Sequence, residues 1–447
     1  MATSYLVMEQ SLGLSGQVDL LGAKNAVLVI MASLILTQGK SRLSNVPFSD
    51  DILHMVKLLR QLGAEVNYLQ DEHCIDVDTS TIDKYQVSYE IMKKMRASIL
   101  VMGPLLARFG RADIALPGGC VIGTRPINYH ITNFVKMGVD IQIDGEFLHA
   151  RTIRLNAGKY ILEYPSVGAT ENILMAAVTT PGTTRIVNAA LEPEVFDLIC
   201  VLKKMGAHIN ILPAATIEVH GVTNLQPIEH SVMYDRLEAG SLLLAAAITG
   251  GQLYLPQAPV ESMDLFLMKL QEMGHKVEIE ANGTGVRFTA TPNPRAVSFK
   301  TAPYPGFPTD LQAPMMAAQC LAEGTSVVEE TVFENRLVHA RELQKMGAQI
   351  TVEHNKATII GVDELYGTQV IATDIRASCA LVIAGLAAKG ITTMAGIHHW
   401  QRGYEALDKK LACLGAKIEY KTIEDDPLAD DSDTMRYQQP TVPLVNI

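Results

Sequence analysis

Hydrophobic and polar positions repeat along the chain with a period of about 70 residues. Six times, apolar residues at helical spacing lead to a Leu-Gly or Met-Gly pair, and the residues after the pair alternate between apolar and polar. This order predicts an amphipathic helix, a left-handed glycine at its end, and a strand. The six glycines, 68 to 75 residues apart, are Gly63, Gly138, Gly206, Gly274, Gly347 and Gly415.

A second repeated segment precedes each of these helices. It starts with polar or charged residues and continues as a stretch that is apolar on all sides, which predicts a buried helix. Strands are predicted to follow it, as in segments 111–118, 183–190 and 251–259. The six copies start near Gly22, Met95, Ser166, Asp235, Thr309 and Asp374.

Each unit is therefore predicted to hold a buried helix, a strand, an amphipathic helix and a pair of strands. Six such units account for nearly the whole chain. A solenoid is an alternative, but solenoid repeats commonly have roughly 20 to 50 residues. Two compact α/β domains of three units each fit better, with the break around residues 226–234.

Basic residues lie at or beside four of the six buried-helix starts. They are Lys24, Arg96, Arg236 and Arg376. Helix N-termini carry partial positive charge and free N–H groups, so related units would gather these ends into a cleft that favours a small, multiply charged anion. In any single copy, ordinary capping residues and solvated bases are the better explanation of the pattern. Four equivalent positions favour the cleft.

The overall charge gives little indication of such a ligand. The 447 residues include 48 acids and 37 bases, a formal net charge of -11. Segment 424–436 holds six of the acids and one base, so residues 424–447 are predicted to form an acidic, disordered tail. The acidic balance argues against a nucleic-acid partner.

The sequence predicts a cytoplasmic protein without a metal site. Its longest apolar run, residues 26–36, is too short to span a bilayer, and the N-terminus does not resemble a secretory signal. The six cysteines show no CxxC spacing and no nearby paired histidines, which disfavours a disulfide framework or structural zinc.

Two loops carry candidate chemistry. Residues 117–126 (PGGCVIGTRP) place Cys120 in a glycine-rich loop five residues before Arg125, where a thiol of low pKa and an inert thiol are equally reasonable interpretations. Residues 302–311 (APYPGFPTDL) bring Asp310 to the start of the fifth buried helix, as a helix cap or as a proton acceptor. Arg336 and Arg402 lie near the starts of amphipathic helices.

Taken together, these segments resemble the UDP-N-acetylglucosamine 1-carboxyvinyltransferase branch of the enolpyruvyl transferase family. The motifs occur in one order over about residues 5–422, and they are LGAKNA, MRAS, LPGGCVIGTRP, PSVGAT, EPEV, FPTD, TVFENR, TDIRAS and RGYE. The resemblance implies two inside-out α/β domains, each of three βαβαββ-type units, with the active site in the interdomain cleft. The domains would be residues 23–232, and residues 1–22 with 233–423.

The resemblance also implies a reaction without cofactor or metal. Phosphoenolpyruvate would give its enolpyruvyl group to the 3-hydroxyl of UDP-N-acetylglucosamine, and phosphate would leave. Cys120 would be the acid, Asp310 the base, and Lys24 and Arg402 would also be catalytic. The donor would contact Lys24, Asn25, Arg125, Arg376 and Arg402. The sugar nucleotide would contact Arg96, Arg125, Pro126, Ile127, Asn128, Tyr129, Ser166, Val167, Gly168, Asp310 and Val332.

Some assignments remain open at this level. Arg336 and Asp374 are expected to organise the cleft, and His130 is either a supporting donor or a buried structural histidine. Asn128, Tyr164 and Gln401 depart from residues common in the family. The same fold also serves transfer to shikimate 3-phosphate, and a non-catalytic nucleotide-binding relative is a third possibility. The cysteine loop favours the UDP-sugar branch, and oligomeric state is not predicted.

Overall fold

In the computed structural model, residues 3–116, 127–281 and 283–423 are described, without the side chains of Lys93, Lys94 and Arg96. Up to residue 231 the strands are β1 (Thr3–Glu9), β2 (Ser15–Gln17), β3 (Lys40–Ser44), β4 (Glu65–Leu69), β5 (Cys74–Asp78), β6 (Gln86–Val87), β7 (Arg111–Ala115), β8 (Asp140–Asp144), β9 (Phe147–Arg151), β10 (Lys159–Ile161), β11 (Thr183–Val187), β12 (His208–Leu212), β13 (Thr216–His220) and β14 (Glu229–Ser231). Beyond it they are β15 (Gln252–Leu255), β16 (Lys276–Ile279), β17 (Val286–Thr289), β18 (Phe299–Lys300), β19 (Thr325–Glu329), β20 (Gln349–Glu353), β21 (Lys356–Ile360), β22 (Gln369–Ile371), β23 (Ile391–Ala395) and β24 (Lys417–Ile423).

The α-helices of the described residues follow the predicted repeat of about 70 residues. They are α1 (Lys24–Ser33), α2 (Asp50–Leu62), α3 (Tyr89–Lys94), α4 (Met102–Phe109), α5 (Asn128–Lys136), α6 (Val167–Ala177), α7 (Pro193–Lys204), α8 (Arg236–Thr249), α9 (Asp264–Glu272), α10 (Gln312–Gln319), α11 (Ala340–Lys345), α12 (Ile375–Ala387), α13 (Ile397–Gly403) and α14 (Leu407–Cys413). Short 3₁₀ turns occupy Leu34–Leu36, Gln70–Glu72, Arg96–Val101, Val260–Ser262 and Thr309–Leu311.

Strands of the described residues form six four-stranded sheets with one shared topology. In the sheet β10-β11-β13-β12, for example, β10 runs parallel to β11 and the other neighbours are antiparallel. Because a parallel pair needs a crossover, a buried helix lies between the two parallel strands along the chain in four of the six sheets. In the other two sheets the parallel partner, β2 or β14, comes from a distant part of the chain. The predicted βαβαββ-type unit is therefore confirmed, six times over.

Three strands join a sheet far from their place in the chain. β1 pairs antiparallel with β23 and β24, β2 runs parallel to β15, and β14 runs parallel to β3. The N-terminal residues thus complete two sheets of the second half, while β14 completes the first sheet of the first half. These exchanges make the chain cross between the halves near residue 22 and again near residue 234.

The six buried helices occupy the inside of the two halves, and the sheets lie outside them. In the second half α8, α10 and α12 pack on one another, and in the first half α4 packs on α6 and α1 on α7. In α1, α8 and α12 nearly every residue is buried, while a strand such as β19 alternates between exposed and buried residues. This inside-out α/β arrangement is the predicted fold class.

Buried apolar side chains form two separate clusters. One runs from Ala23 to Val232, and the other joins Leu6–Leu20 to Leu237–Ala416. These clusters support the proposed domains, residues 23–232 and residues 1–22 with 233–423. The predicted tail from residue 424 lies outside the described residues.

The repeated glycines have the predicted backbone conformation. All six have positive φ, between 87° and 108°, as a left-handed helix end requires. Two buried helices differ from expectation, since a 3₁₀ turn precedes α4 and another precedes α10. In both, a proline (Pro104 or Pro314) is the third α-helical residue, where its missing N–H needs no partner.

Candidate active site

Two carboxylates lie among cations at the starts of the buried helices. The first, Asp51 on α2, forms with Lys24 and Arg402 what we call the Asp51 cluster. Lys24 Nζ lies 2.9 Å from Asp51 Oδ2, and Arg402 Nε donates to Asp51 Oδ1 at 3.1 Å. Lys24 Nζ also donates to the backbone oxygen of Arg402 at 3.1 Å. Because Lys24 and Asp51 belong to the first half and Arg402 to the second, this cluster joins the two halves.

The Asp51 cluster retains surplus positive charge. Lys24 and Asp51 are buried, whereas the side chain of Arg402 is 32% exposed. Burial would raise the pKa of Asp51, but the charges of Lys24 and Arg402 and their hydrogen bonds lower it below its ordinary value. One ionised carboxylate thus faces two cations, so an anion can compete for the exposed guanidinium.

The second carboxylate, Asp310, lies in the 3₁₀ turn before α10. Arg336 Nη2 donates to its Oδ1 at 2.6 Å, and Arg376 Nη2 donates to its Oδ2 at 3.0 Å. Burial would raise the pKa of Asp310, but the two guanidinium groups hold it well below its usual range. Asp310 with Arg336, Arg376 and Tyr404 is called the Asp310 cluster below.

A buried tyrosine orients Arg376. Arg376 Nη1 donates to Tyr404 Oη at 2.8 Å, and Ser241 Oγ lies 2.9 Å from the same oxygen. The Ser241 hydroxyl donates to the backbone oxygen of Leu237 at 2.8 Å, so Tyr404 donates its own proton to Ser241. Burial raises the pKa of Tyr404, which keeps the phenol neutral and its oxygen free to accept from Arg376.

The RGYE segment brings the two clusters together. Arg402 belongs to the Asp51 cluster and Tyr404 to the Asp310 cluster, with Gly403 between them. A Cβ on Gly403 would lie 2.6 Å from Cγ2 of Ile375, the first residue of α12. Only glycine allows this close approach between the end of α13 and the start of α12.

Several helix starts meet beside these clusters. Lys24, Ser49, Asp235 and Tyr404 line one small cavity. Ser49 and Asp235 cap α2 and α8, and Asp374 caps α12 by accepting from the N–H groups of Arg376 and Ala377. The cavity therefore lies at the N-termini of two buried helices, α1 and α8, and of the amphipathic helix α2.

Arg236 differs from the other helix-start bases. Its Nε and Nη2 bind the two carboxylate oxygens of Glu194 at 3.0 and 3.1 Å, and both side chains are buried. The bidentate pair neutralises its charge, so Arg236 adds nothing to the cationic surplus expected from its position.

The segments predicted to hold the nucleotide lie against one another. A Cβ on Gly168 would meet the His130 ring at 3.3 Å, and His130 Nδ1 lies 3.0 Å from Asn172 Nδ2. Segment 166–168 therefore lies against His130, the buried residue that directly follows residues 127–129. Ser166 caps α6 by accepting from Ala169 N.

Val332 is held by Glu330. The Val332 N–H donates to Glu330 Oε1 at 2.8 Å, while Glu330 Oε2 accepts the Thr309 hydroxyl at 2.8 Å. Arg336, which completes this segment, contacts Asp310 as described above, and His339 Nδ1 lies 3.1 Å from the Arg336 oxygen. Arg336 thus contacts the predicted base directly, whereas Asp374 caps α12, the helix that carries Arg376.

The remaining predicted residues divide into two groups. Asn25 and Asn128 are exposed at the first residues of α1 and α5. Cys120, Arg125, Pro126 and the side chain of Arg96 lie outside the described residues. Their assigned roles stay predictions.

Sequence reasoning missed Asp51, Tyr404 and Glu330. The Ser49-Asp50-Asp51 run resembles an ordinary helix start. Tyr404 lies inside the RGYE motif, from which only Arg402 was selected, and Glu330 directly precedes the TVFENR motif. Asp310 was left open between cap and base, and its oxygens accept from arginines. The pattern of apolar and polar residues does not indicate which distant cation will contact a given carboxylate.

Two kinds of feature are absent from the described parts of the chain. No helix there is long and apolar enough to span a membrane. No group of three or more His, Cys, Asp or Glu residues is placed to hold a metal ion there.

The amino-acid sequence matches a known family and named relatives. Residues 8–411 match the family model of EPSP synthase (3-phosphoshikimate 1-carboxyvinyltransferase). The UDP-N-acetylglucosamine 1-carboxyvinyltransferase of Geotalea uraniireducens (strain Rf4) is 46% identical over 413 residues, 92% of this chain and 98% of that protein. UDP-N-acetylglucosamine 1-carboxyvinyltransferase 1 of Caldanaerobacter subterraneus subsp. tengcongensis is 47% identical over 418 residues, 94% of this chain and 99% of that protein.

Solved structures share the fold. The enolpyruvyl transferase NikO from Streptomyces tendae matches with a TM-score of 0.87 and 25% identity, over 95% of this chain and 100% of its own. An EPSP synthase from Acinetobacter baumannii matches in fold with a TM-score of 0.74 and 17% identity, over 94% and 100% of the two chains. With most of its length matched by the family model, the chain belongs to the EPSP synthase family of enolpyruvyl transferases.

Proposed function

We propose that the protein transfers the enolpyruvyl group of phosphoenolpyruvate to the 3-hydroxyl of UDP-N-acetylglucosamine, with release of phosphate. This is the first committed step of peptidoglycan precursor synthesis. Near-full-length relatives with 44–47% identity carry this activity in their names. The structural observation that supports it most is Asp310, an ionised carboxylate between two arginines and beside a second cationic cluster.

The donor is proposed to bind the surplus cations. Phosphoenolpyruvate carries a phosphate and a carboxylate, which suit the planar donors of guanidinium groups. Lys24, Arg376 and Arg402 would bind these anionic groups of the donor in place of their present partners, Asp51 and Asp310. Asn25 and Arg125 complete the proposed donor site.

The acceptor is proposed to lie across the nucleotide segments and Asp310. Ile127, Asn128, Tyr129, Ser166, Val167, Gly168 and Val332, with Arg96, Arg125 and Pro126, would hold the uridine nucleotide. This arrangement directs the sugar 3-hydroxyl toward Asp310.

Asp310 is proposed to be the base, and donor binding would tune it. Held between two arginines it is ionised but weakly basic, because both charges stabilise the carboxylate. When the donor's anionic groups draw Arg376 away, one of these charges is lost and the pKa of Asp310 rises. The base would thereby strengthen only when the donor is present.

Cys120 is proposed as the acid that protonates the vinyl carbon. Protonation creates an electrophilic centre that the sugar hydroxyl attacks. Elimination of phosphate and a proton then restores the carbon–carbon double bond, which is now part of an enol ether to the sugar. Cys120→Ala should severely impair turnover, while Cys120→Asp, which retains an acid, should preserve part of it. The epoxide phosphonate fosfomycin should alkylate Cys120, and mass spectrometry that finds the label only on another cysteine contradicts the assignment. Cys200→Ala, at an exposed thiol, is the matched control.

Transfer to shikimate 3-phosphate is the second candidate, because the family model is named for that reaction. The relatives that share 44–47% of their residues with this chain favour the UDP-sugar instead. Phosphate release from phosphoenolpyruvate, measured with each acceptor, distinguishes them. Release that depends on UDP-N-acetylglucosamine supports the proposal, and no release with both substrates present contradicts it.

A non-catalytic nucleotide binder is the third candidate. It predicts UDP-N-acetylglucosamine binding by calorimetry without phosphate release. The paired clusters argue against it, since a binding protein has no need of an ionised base between two arginines. A cytoplasmic location is proposed with the enzymatic function, because both substrates are polar intracellular metabolites.

A further inference from the structure

Glu330 is a buried carboxylate that bridges two segments of the candidate site. Its side chain is 1% exposed. It directly follows β19, and its two oxygens contact different segments, Val332 and Phe333 on one side and Thr309 on the other. One segment carries Val332, proposed for the sugar nucleotide, and the other carries Asp310, proposed as the base.

The first oxygen fixes the acceptor segment. Glu330 Oε1 accepts from Val332 N at 2.8 Å, from Phe333 N at 3.1 Å and from the Thr301 hydroxyl at 2.9 Å. Thr301 Oγ1 in turn accepts from Thr331 N at 2.9 Å. Three hydrogen bonds to one carboxylate oxygen hold this turn in one conformation.

The second oxygen determines the direction of a chain of hydrogen bonds that ends at Asp310. A hydroxyl has one proton, and Thr309 donates it to Glu330 Oε2 at 2.8 Å. The Thr309 oxygen is therefore an acceptor toward Arg336, whose Nη1 lies 3.0 Å away. With Nη1 fixed on Thr309, Arg336 Nη2 points at Asp310 Oδ1, 2.6 Å away.

We propose that Glu330 is a positioning residue, which sets the acceptor segment relative to Asp310 and, through Thr309, orients Arg336 on that base. The proposal rests on the proposed function, because it concerns the placing of a hydroxyl beside its base. Glu330 touches no reacting atom in this scheme. A purely structural role for Glu330 would stabilise the turn without influencing how Asp310 titrates.

Thr309→Val tests this chain of hydrogen bonds with little change of volume. The variant is expected to lower kcat for acceptor-dependent phosphate release by up to about 100-fold, the cost of a misplaced catalytic group. Thr309→Ser restores the hydroxyl and is expected to recover most of the activity. Thr392→Val is the matched control, because Thr392 is buried and its hydroxyl has no hydrogen-bond partner among the described residues.

The pH profile separates positioning from general damage. Asp310 is faced by Arg336, Arg376 and Arg236, and looser contact with Arg336 raises its pKa. The acidic limb of kcat should therefore move to higher pH in Thr309→Val and stay in place in Thr309→Ser. A lower kcat with an unmoved limb would mean that the residue is only structural, and would overturn the proposal.

A double-mutant cycle tests whether both residues act through one bond. Glu330→Gln keeps an oxygen for the turn but presents an amide N–H₂ that cannot accept the Thr309 proton. If the bond is the link, Glu330→Gln with Thr309→Val should lose no more activity than the worse single variant. If the activity losses of the two single variants multiply in the double variant, the two residues act independently, and the proposed link through this hydrogen bond is overturned. If the unaltered protein shows no acceptor-dependent phosphate release, the proposed function is contradicted. If the unaltered protein is active and Thr309→Val is equally active, only this inference is contradicted.

Discussion

The Asp51 and Asp310 clusters are built alike but span different parts of the molecule. In each, two cations share one carboxylate whose pKa they lower. Asp51 receives Lys24 from its own half and Arg402 from the other, whereas both arginines on Asp310 belong to the second half. Separating the halves would break the first cluster and leave the second intact.

This difference indicates two separate tasks. The Asp310 cluster is preorganised within one half, as a base needs. The Asp51 cluster is intact only when the two halves are in contact. Other contacts cross the same boundary. Phe48 N donates to Glu405 Oε2 at 2.5 Å, and His73 Nδ1 lies 3.6 Å from the same oxygen. A donor that takes over Lys24 and Arg402 would replace Asp51 as the anion between the halves.

The largest effect is expected from removing the proposed base. Asp310→Asn should lower kcat by about 10²- to 10⁴-fold, the usual contribution of a general base. Acceptor-dependent phosphate release measures it. Asp71→Asn, at an exposed aspartate in a 3₁₀ turn, is the control and should match the unaltered protein. Equal activity in both variants would remove Asp310 from the mechanism.

Asp51→Asn should instead weaken the contact between the halves. Lys24 and Arg402 would lose the charge that lies between them, so the free energy of unfolding should fall by about 2–3 kcal/mol. Small-angle scattering without ligands should show a larger radius of gyration. The control Glu72→Gln breaks an exposed pair with Arg42 and should cost less than about 1 kcal/mol. An unchanged melting temperature and scattering curve for Asp51→Asn would show that the cluster does not hold the halves together.

Acidification should reduce stability through both clusters. A carboxylate whose folded pKa is lowered contributes stability above its ordinary pKa of 3.8, and that contribution is lost as the pH falls below it. Calorimetry between about pH 2 and 5 should therefore show a steeper loss of melting temperature in the unaltered protein than in Asp51→Asn. Parallel curves for the two proteins would contradict the lowered pKa of Asp51.

The smallest effect concerns Glu171, a buried carboxylate with the opposite shift. Burial, then the nearby charges of Glu194 and Glu192, raise its pKa well above the ordinary value. Its contribution to stability is therefore lost as the pH rises through that pKa. Glu171→Gln should stabilise the protein by about 0.5–1 kcal/mol at pH 8.5 and less at pH 5. A gain that is the same at both pH values, or equal to that of the exposed control Glu163→Gln, would contradict the shift.

The pattern of the chain predicted the fold well because each signal is local. Glycines such as Gly63 end their helices with positive φ, and stretches such as α8 and α12 are apolar on every side and buried. The 3₁₀ turns were not predicted, although Pro104 and Pro314 mark where each following α-helix begins. A proline restricts the backbone locally, so this signal was present in the sequence.

The candidate site was predicted only in part, because its contacts join residues far apart in the chain. The motif resemblance identified Lys24, Asp310, Arg376 and Arg402 as site residues. It did not indicate that Asp51 lies between Lys24 and Arg402. Ser49-Asp50-Asp51 has the composition of a helix cap, and the capping role falls to Ser49. One of the two cations that contact Asp51, Arg402, lies 351 residues away in the chain.

By itself the sequence determined the repeated unit, the buried helices and the types of side chain at their starts, because helix period, strand period and glycine backbone freedom act over a few residues. Only the tertiary structure decided which charges meet. The close approach of Gly403 to Ile375, the exchange of β1 and β14 between halves and the hydrogen bonds of Glu330 all depend on packing between distant segments. Packing also decides whether a buried carboxylate is stabilised, as Asp310 is by two arginines, or left to titrate at raised pKa, as Glu171 is.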